Sequence, residues 1–328
     1  MEITKCDLCG SDSYKNVACQ SDIIHKSTSD FFNVVECNNC SLTFTNPRPT
    51  ADEIGNFYTE SYRFHHNSGL KTYIKRSIFG SILRFIANSP LAYLSILFPP
   101  LSKLLSTLVR PSIDDPVIKL IKAGHARSFL DIGCGSGINA AFWGSKSSLV
   151  KCKNTIDVYG CEIDQHSRNY VNNNGIKCWS DISEINSGKK FDIIRMNWSL
   201  EHAHYPSEYF KFFKNNLSEN GRVIIGVPNN KGLLYQIEPN ALELPIHLHH
   251  FSLDTLSKYC KKNDLEIVEE KTFSYPSMFS YAVDIGLLPK RFKSGRGIFS
   301  AKRMQNSLNI FDEFGLGNDI VVTIKKCD

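Results

Sequence analysis

The sequence lacks the features that mark a disordered, repetitive or secreted protein. It has no low-complexity tract, no block of like charges and no internal repeat, and 42% of its 328 residues are hydrophobic, which predicts ordinary globular domains. The amino terminus has no basic segment followed by an apolar run, so we expect no secretory signal and a place in the reducing cytosol. A chain of this length is longer than one compact core needs, which predicts at least two structural units.

The sequence also lacks an uninterrupted apolar run long enough to cross a membrane. The stretch 85–102 contains no charge, but it includes Pro90, Pro99 and Pro100. Each proline removes a backbone donor that hydrocarbon cannot replace, and the longest proline-free piece, 91–98, is too short for a span. We therefore expect helices that pack on the protein or touch a bilayer surface.

Neither sign of charge is in large excess. The 38 Lys and Arg residues against 33 Asp and Glu residues give a formal net charge of +5, spread along the chain. This balance hints at an anionic partner and no more. A nucleic-acid-binding protein usually has a basic stripe interleaved with aromatic residues, so nucleic acid is not an expected partner.

Eleven cysteines, an odd number in a chain expected in the cytosol, predict thiols and metal ligands instead of a disulfide framework. Two CxxC pairs, Cys6 with Cys9 and Cys37 with Cys40, have the spacing at which one tight turn presents two sulfurs to one ion. Four thiolates complete a tetrahedral Zn²⁺ site with no open position, so the predicted zinc is structural. The remaining cysteines are predicted to be small buried hydrophobic side chains: Cys19, Cys134, Cys152, Cys161, Cys178, Cys260 and Cys327.

Changes of pattern divide the chain into three parts. Residues 1–50 are rich in Cys, Asn, Ser and Asp and predict a small zinc-binding ribbon. Residues 51–112 predict a helical linker or cap. Residues 113–328 alternate between strands and helices, starting from Asp115 and Pro116, which have the pattern of a helix cap followed by proline at the first helical position.

The third part has the βαβ rhythm of a doubly wound, Rossmann-like α/β fold with a seven-stranded sheet whose last strand is antiparallel. Strands are predicted at 128–132, 156–161, 176–179, 191–196, 222–227, 265–273 and 319–325. Helices are predicted at 116–124, 137–144, 165–174, 206–218 and 252–263. The segment 274–318 is long, and the sequence leaves its structure open.

The helical linker combines apolar and basic residues. The apolar residues that recur on one helical face are Ile74, Ile78, Ile82, Phe85 and Ile86. The basic residues beside them are Lys71, Lys75, Arg76 and Arg84. The favoured interpretation is a solvated basic face whose apolar side packs on the main domain. The alternative is a basic amphipathic face for a lipid-linked or phosphorylated acceptor, with peripheral membrane contact through 71–110.

A glycine-rich loop follows the strand predicted at 128–132. Gly133, Gly135 and Gly137 let the backbone approach a ligand where a Cβ atom would collide. A dinucleotide fingerprint would need glycine at position 138, where the chain has Ile138. The loop therefore favours the amino-acid and ribose parts of S-adenosylmethionine, with Asp131 at the strand end suited to its ammonium group.

Carboxylates follow the next two predicted strands. Glu162 ends the second strand, where an acidic side chain accepts hydrogen bonds from both ribose hydroxyls. Asp181 follows the third, where it can accept a bond from the adenine amino group. Arg195, in the fourth strand, is unusual at a position that is normally apolar.

With these motifs the chain resembles the class I S-adenosylmethionine-dependent methyltransferases over roughly 115–328. It also resembles a subgroup with a zinc ribbon, which includes C-methyltransferases of nucleotide-linked deoxysugars and enzymes of surface-polysaccharide synthesis. The segments that match this subgroup are 37–49, 57–58 with Tyr62, 199–202, 227–229 and 249–252. The resemblance implies that the methyl donor is bound by Asp131, Gly133, Gly135, Glu162 and Asp181.

Glu201 and His202 follow the fourth predicted strand, at the sheet edge where reacting groups lie in this fold. Histidine titrates near neutrality, so His202 is the predicted general base with Glu201 as its partner. The resemblance to the sugar C-methyltransferases implies the same role. The alternative is that the pair only shapes the pocket.

Three further histidines, His247, His249 and His250, precede a helix that Ser252 is predicted to cap. One of them is a candidate to reach the acceptor. No second metal site is expected, because no acidic cluster accompanies them in the sequence.

The leading hypothesis is therefore a cytosolic enzyme that methylates a sugar or polysaccharide intermediate, with S-adenosylmethionine as donor and structural Zn²⁺. Two alternatives remain open: an RNA methyltransferase whose zinc ribbon grips RNA, and a non-catalytic protein that binds S-adenosylmethionine and docks a partner through the ribbon.

Overall fold

The structure, a computed structural model, describes residues 1–58, 78–106, 108–111, 114–138, 146–295 and 297–327. Most of the predicted helix 137–144 lies outside the described residues, as do Lys71, Lys75 and Arg76. In the described part, two β-sheets and a set of helices surround several apolar cores.

A four-stranded antiparallel sheet occupies the amino-terminal part. Its first three strands are β1 (Tyr14–Ser21), β2 (Phe31–Cys37) and β3 (Thr43–Thr45). The fourth, β9 (His249–His250), comes from far along the chain and pairs with β3. The sheet therefore crosses the boundary predicted at residue 50, and the zinc-ribbon region is built partly from the third part of the chain.

The second sheet has seven strands in the order β10-β11-β8-β7-β4-β5-β6. They are β4 (Ser128–Ile132), β5 (Asp157–Cys161), β6 (Lys177–Trp179), β7 (Phe191–Asn197), β8 (Leu217–Pro228), β10 (Leu265–Phe273) and β11 (Asp319–Lys326). Neighbours among β4 to β8 are parallel, whereas β11 is antiparallel to both β8 and β10. The predicted Rossmann-like fold with an antiparallel last strand is confirmed, and that strand lies second from the edge.

The described α-helices are Ile78–Asn88, Pro99–Ser106, Pro116–Lys122, Leu149–Cys152, Gln165–Asn173, Pro206–Asn216, Leu233–Ile237, Leu253–Lys261, Pro276–Asp284 and Ile298–Glu313. Two predicted caps are confirmed. The Asp115 side chain accepts hydrogen bonds from backbone amides of the helix that Pro116 begins, and Ser252 forms a capping box with Thr255. Each cap satisfies amide groups that a helix start otherwise leaves without partners.

The central strands are buried on both faces, as expected for a parallel sheet covered by helices. Phe191, Ile193, Ile194 and Met196 of β7 are all buried. Strand β8 begins at Leu217 and not at 222, because buried Leu217 already pairs with Phe191.

The segment 274–318, left open by the sequence, contains the helices Pro276–Asp284 and Ile298–Glu313. Phe273 ends β10 opposite Asp319, which begins β11 beside Pro228 at the end of β8. The segment therefore connects two strands at the carboxyl edge of the parallel strands, which is the edge where ligands bind in this fold.

The burial predicted for the cysteines outside the CxxC pairs is correct for five of the seven. It is wrong for Cys19 and Cys327, which are exposed. Cys19 lies on β1, the edge strand of the amino-terminal sheet, and Cys327 follows the last strand. Neither position has a neighbouring layer to cover it.

The linker helix Ile78–Asn88 packs on the protein with a face that differs in part from the predicted one. Leu83 and Ala87 are buried and Ile86 of the predicted face packs against them, whereas Ile82 and Phe85 of that face are exposed. No helix of the described residues is both long enough and apolar enough to cross a membrane.

Candidate functional site

The glycine loop after β4 has a backbone that only glycine adopts readily. Gly133, Gly135 and Gly137 have φ angles of 72°, 53° and 69°, in the left-handed region that L side chains avoid. A Cβ atom on Gly133 would lie 2.5 Å from the Cβ atom of Ser199. The loop therefore turns tightly against the segment that follows β7.

Glu162, at the end of β5, holds this loop. One of its carboxylate oxygens accepts a hydrogen bond from the backbone amide of Gly135 at 2.7 Å, and the other accepts one from the amide of Asp164 at 2.9 Å. The structure thus brings Glu162 and the glycine loop together. The role predicted for Glu162 toward a ribose stays a prediction.

Asp181 follows β6 and is exposed at the same edge of the sheet. Its carboxylate accepts a hydrogen bond from the amide of Ser183 at 2.8 Å and caps the short turn Ile182–Glu184. The predicted contact with adenine stays a prediction.

Asp131 has a partner that the sequence reasoning did not supply. Its two carboxylate oxygens accept hydrogen bonds from Nε and Nη2 of Arg195 at 2.8 and 2.6 Å, and Arg195 also donates to Ser147 at 2.8 Å. The two residues face each other on neighbouring strands, and Arg195 is 1% exposed. Arg195 in an otherwise apolar strand was the signal that a counterion lies beside it. The contact predicted between Asp131 and the donor ammonium stays a prediction.

Glu201 lies in a short turn, Leu200–His202, directly after β7. Its side chain is 1% exposed, and neither carboxylate oxygen has a hydrogen-bond partner among the described residues. Burial, and then the nearby carboxyl groups of Glu243 and Asp319, raise the pKa of Glu201 well above its usual range. A buried carboxyl group without a partner is rare and marks a place where a ligand can supply one.

His202 lies beside Glu201 with its ring oriented by the backbone. Its Nδ1 atom is 2.9 Å from the carbonyl oxygen of Ile246 and 3.2 Å from the hydroxyl of Tyr58, and its Nε2 atom is 4.0 Å from a carboxyl oxygen of Glu201. Because the carbonyl can only accept, Nδ1 carries the ring hydrogen and Nε2 is the unprotonated nitrogen. Burial, and then His247, lower the pKa of His202 to about 3, so the ring is neutral at physiological pH.

His247 completes this group. Its ring centroid is 4.7 Å from that of His202, and one ligand atom from each of Glu201, His202 and His247 lies within 4.8 Å of the others, a group that could hold a metal ion. Glu243 is 4.0 Å from His247 and 2.8 Å from His25. No acidic cluster accompanies these histidines in the sequence, which is the reason for expecting no second metal site. That reason is wrong, because Glu201 and Glu243 lie beside His247 in the folded chain.

His249 and His250 face the amino-terminal sheet. His249 bonds the carbonyl oxygen of Ala203 at 3.0 Å and stacks on Phe44, while His250 is 3.4 Å from the hydroxyl of Thr45. Of the three histidines named from the sequence, His247 is the one that the structure places beside Glu201 and His202. No signal in the sequence distinguished it from its neighbours.

The four cysteines of the CxxC pairs come together as predicted. The sulfurs of Cys6 and Cys40 are 3.4 Å apart, those of Cys9 and Cys37 are 3.5 Å apart, and all four lie within 4.8 Å of one another. A tetrahedral Zn²⁺ ion at about 2.3 Å from each sulfur would separate them by about 3.8 Å, so the donor set fits. Binding of zinc by these residues stays a prediction.

The cysteine cluster is attached to the main domain through Asp7, which lies between the two cysteines of the first pair. Its carboxylate accepts hydrogen bonds from the amide and hydroxyl of Ser207, both at 2.8 Å, and from the hydroxyl of Tyr259 at 2.7 Å. Lys258 and Lys262 donate to backbone carbonyls of the two CxxC turns. The cysteine cluster and the seven-stranded sheet are therefore parts of one packed structure.

Asp319, at the start of β11, is a second buried carboxyl group near the site. One of its oxygens accepts a hydrogen bond from the indole nitrogen of Trp198 at 3.3 Å, and the other has no partner in the part of the chain that the structure describes. Burial raises the pKa of Asp319 to about 8.

Comparison with known proteins gives one family and several similar folds. Residues 95–270 match the family described as methyltransferase domain. None of the curated proteins matches the chain.

Three solved structures illustrate the similarity. A SAM-dependent methyltransferase from Archaeoglobus fulgidus is 18% identical over 64% of this chain and 92% of that chain, with a TM-score of 0.44. One from Clostridium acetobutylicum is 14% identical over 73% of this chain and 100% of that chain, with a TM-score of 0.41. An O-methyltransferase from a trans-AT PKS multienzyme of Brevibacillus brevis, in complex with S-adenosyl-L-homocysteine, is 16% identical over 75% of this chain and 80% of that chain, with a TM-score of 0.43.

The buried ion pair gives a stability prediction. Arg195→Met leaves the Asp131 carboxylate buried without its counterion, so we expect the free energy of unfolding to fall by about 3–5 kcal/mol. Asp131→Leu combined with Arg195→Met removes both charges and should recover most of that loss. Urea unfolding measures both variants, and a double variant as unstable as the single one would contradict the prediction.

The cysteine cluster predicts one tightly bound zinc ion per chain. Cys37→Ser should abolish zinc binding and lower the melting temperature by roughly 5–10 °C, because a loss of a few kcal/mol shifts the melting temperature by this amount in a large domain. Metal analysis and thermal unfolding measure both effects. Cys327→Ser, at an exposed cysteine outside the cluster, is the control.

A second equivalent of metal that disappears in His247→Ala would belong to the group around Glu201.

Asp319 predicts a pH dependence of stability. The folded protein keeps the proton of Asp319 up to about pH 8, whereas the unfolded chain releases it near the ordinary pKa of 3.8. The unfolded state therefore binds fewer protons across this window, and stability should fall as pH rises from about 4 to 8. In Asp319→Asn this part of the decline should be absent. Unfolding at several pH values tests it, with exposed Asp157→Asn as the control, and parallel curves for wild type and Asp319→Asn would refute it.

Proposed function

Since the chain belongs to the family of methyltransferase domains, we propose that it is a SAM-dependent enzyme that methylates a nucleotide-linked sugar or a surface-polysaccharide intermediate in the cytoplasm. S-adenosylmethionine supplies a methyl group already activated by a sulfonium and leaves as S-adenosylhomocysteine. The protein must then hold the acceptor in line with that methyl group and take its proton.

The donor side of the proposed site is the glycine loop with the carboxylates after β5 and β6. The left-handed backbone of Gly133, Gly135 and Gly137 supports close approach of a ligand to the main chain. Glu162 ties the loop to the end of β5, and Asp181 stands at the end of β6. These residues would hold the amino-acid, ribose and adenine parts of the donor along one edge of the sheet.

The observation on which the proposed chemistry depends is the orientation of His202. The carbonyl of Ile246 fixes the hydrogen on Nδ1 and turns Nε2 toward Glu201. In the proposed reaction, a hydroxyl or carbon of the acceptor bonds to the methyl carbon while its proton passes to Nε2 of His202. A base must be unprotonated to act, and burial keeps this ring neutral.

One neighbouring carboxylate would offset part of the cost that burial imposes on the imidazolium that results. Glu243 lies 4.0 Å from His247, which contacts the ring of His202 edge to face. Interactions with His247, His25 and His202 outweigh the partial burial of Glu243 and lower its pKa to about 2, so this carboxylate is charged at physiological pH. Its charge favours a proton on the histidines beside it.

The polar groups around the His202 ring suit an acceptor rich in hydroxyl groups. The carboxyl oxygens of Glu201 have no partner among the described residues, and the hydroxyl of Tyr58 lies near the His202 ring. A sugar hydroxyl both donates and accepts, so it can satisfy a buried carboxyl group that an apolar acceptor would leave unsatisfied. This match supports a sugar over an apolar acceptor.

The test is transfer of a labelled methyl group to nucleotide sugars and glycan extracts. We expect His202→Ala to reduce kcat by about 10²- to 10⁴-fold, the usual contribution of general base catalysis, while its affinity for S-adenosylmethionine by calorimetry is unchanged. Glu201→Gln should also reduce kcat without affecting donor binding.

Exposed His125→Ala is the matched control and should keep full activity. Turnover by His202→Ala equal to that of the wild type would remove His202 from the chemistry. Absence of transfer to any sugar or glycan, together with transfer to another class of acceptor, would overturn the proposed acceptor.

A further inference from the structure

The helical layer formed by residues 78–106 has an exposed apolar surface. Seven large apolar side chains, on two consecutive helical segments and the residue after them, are between 50% and 86% exposed: Ile82, Phe85, Leu91, Leu94, Ile96, Leu97 and Phe98. We refer to these seven residues as the apolar patch. A soluble surface rarely keeps so many large apolar side chains together unless they bind something.

The exposure of the patch follows from how the layer packs. Its opposite side buries Leu83, Ala87, Ala92 and Leu105 in a core shared with the helix Ile298–Glu313. In the 3₁₀ segment Pro90–Leu97, which repeats every three residues, the buried positions are Ala92 and Ser95. The small residues therefore face the protein, and the large apolar residues face outward.

The charge of this region indicates what covers the patch. All 33 acidic residues of the chain lie outside 61–113. Within that stretch the charged residues are basic: Arg63, Lys71, Lys75, Arg76, Arg84, Lys103 and Arg110. Lys103 is exposed in the helix Pro99–Ser106, which follows the patch. Of these basic side chains, Lys103 and Arg110 are described and exposed. An apolar surface in a stretch of sequence whose only charges are positive is complementary to a bilayer that contains anionic lipids, where each basic residue adds to binding.

The layer also lies near the catalytic edge of the sheet. It packs on the helix Ile298–Glu313, within the segment that connects β10 to β11 at the carboxyl ends of the parallel strands. Arg110 stands 5.9 Å over the ring of Tyr275, at the start of that connection, and Phe273 contacts Trp198 of the site. The layer is therefore connected through this helix to the segment that follows the ligand-binding edge of the sheet.

We propose that the apolar patch docks this protein on an anionic bilayer and that the acceptor is carried on a membrane lipid. The second half of this inference rests on the proposed function, because it names the form in which the sugar acceptor is presented. None of the described helices is long enough to span the membrane, so the contact is with one leaflet.

Vesicle flotation of the full chain tests the docking. Wild-type protein should float with vesicles of 70% phosphatidylcholine and 30% phosphatidylglycerol, and binding should weaken with salt and with pure phosphatidylcholine. The double variant Leu97→Glu and Phe98→Glu should bind at least tenfold less. These side chains are 86% and 68% exposed, so the variant should fold normally.

The matched control is the double variant Ile3→Glu and Phe31→Glu, at residues 77% and 72% exposed outside the patch. It adds the same charge and should bind vesicles as the wild type does. Equal loss of binding in both double variants, or no binding of the wild type to anionic vesicles, would overturn the docking. A wild-type dimer that Leu97→Glu and Phe98→Glu dissociates would assign the patch to a second copy of the chain and overturn it as well.

The acceptor is tested separately, by labelled methyl transfer into a membrane extract partitioned between chloroform and water. Label in the chloroform phase that is removed by mild acid, which cleaves sugar phosphates from lipids, is the expected result. Label confined to the aqueous phase would overturn the lipid-linked acceptor and leave the proposed function intact. Absence of label in both phases would count against the proposed function itself, whatever the vesicle result.

Discussion

The pairing of β3 with β9 is the contact on which the acceptor side of this enzyme depends. Two residue pairs, Thr43 with His250 and Phe44 with His249, join the cysteine-bearing sheet to the chain that contains His247 and Ile246. Ile246 orients the ring of His202, so the position of a potential base depends on the segment that leads into β9, which β3 pairs with. A metal in the cysteine cluster would therefore stabilise this pairing as well as the cluster itself.

The distribution of buried charge separates the stable part of the site from the reactive part. Asp131 and Arg195 satisfy each other with two hydrogen bonds inside the sheet, an arrangement that costs desolvation but leaves no group without a partner. Glu201 and Asp319 are equally buried, yet both have carboxyl oxygens without a partner among the described residues. Buried carboxyl groups without a partner destabilise a fold. Two of them lie beyond the ends of β7 and β8, which is best explained by a ligand that forms hydrogen bonds with them.

The sequence predicted the central strands because they are short apolar runs bounded by polar residues, and β10 because its apolar residues alternate with polar ones. It predicted the cysteine cluster because CxxC spacing specifies a local turn. Glu201 and His202 could be identified because the end of a parallel strand determines where the following residues lie. Contacts between distant segments left no such local signal. His247 meets His202, and Arg195 meets Asp131, only because the topology makes their segments neighbours. The packing face of the linker helix was predicted only in part for a related reason, since amphipathic spacing shows that a face is apolar but not which of its residues contact the protein.

The burial of Glu201 determines how an acceptor could be selected at the proposed site. A hydroxyl group placed beside Glu201 would supply a hydrogen-bond partner that the described residues do not, and at 1% exposure that bond would contribute more than one formed at an open surface. An acceptor that lacks the hydroxyl would leave the carboxyl group buried without a partner. Its binding would be weaker by the free energy of the missing hydrogen bond. The site would then select between acceptors when they bind, before any proton is transferred. His202 would need only to be neutral and correctly oriented at that moment.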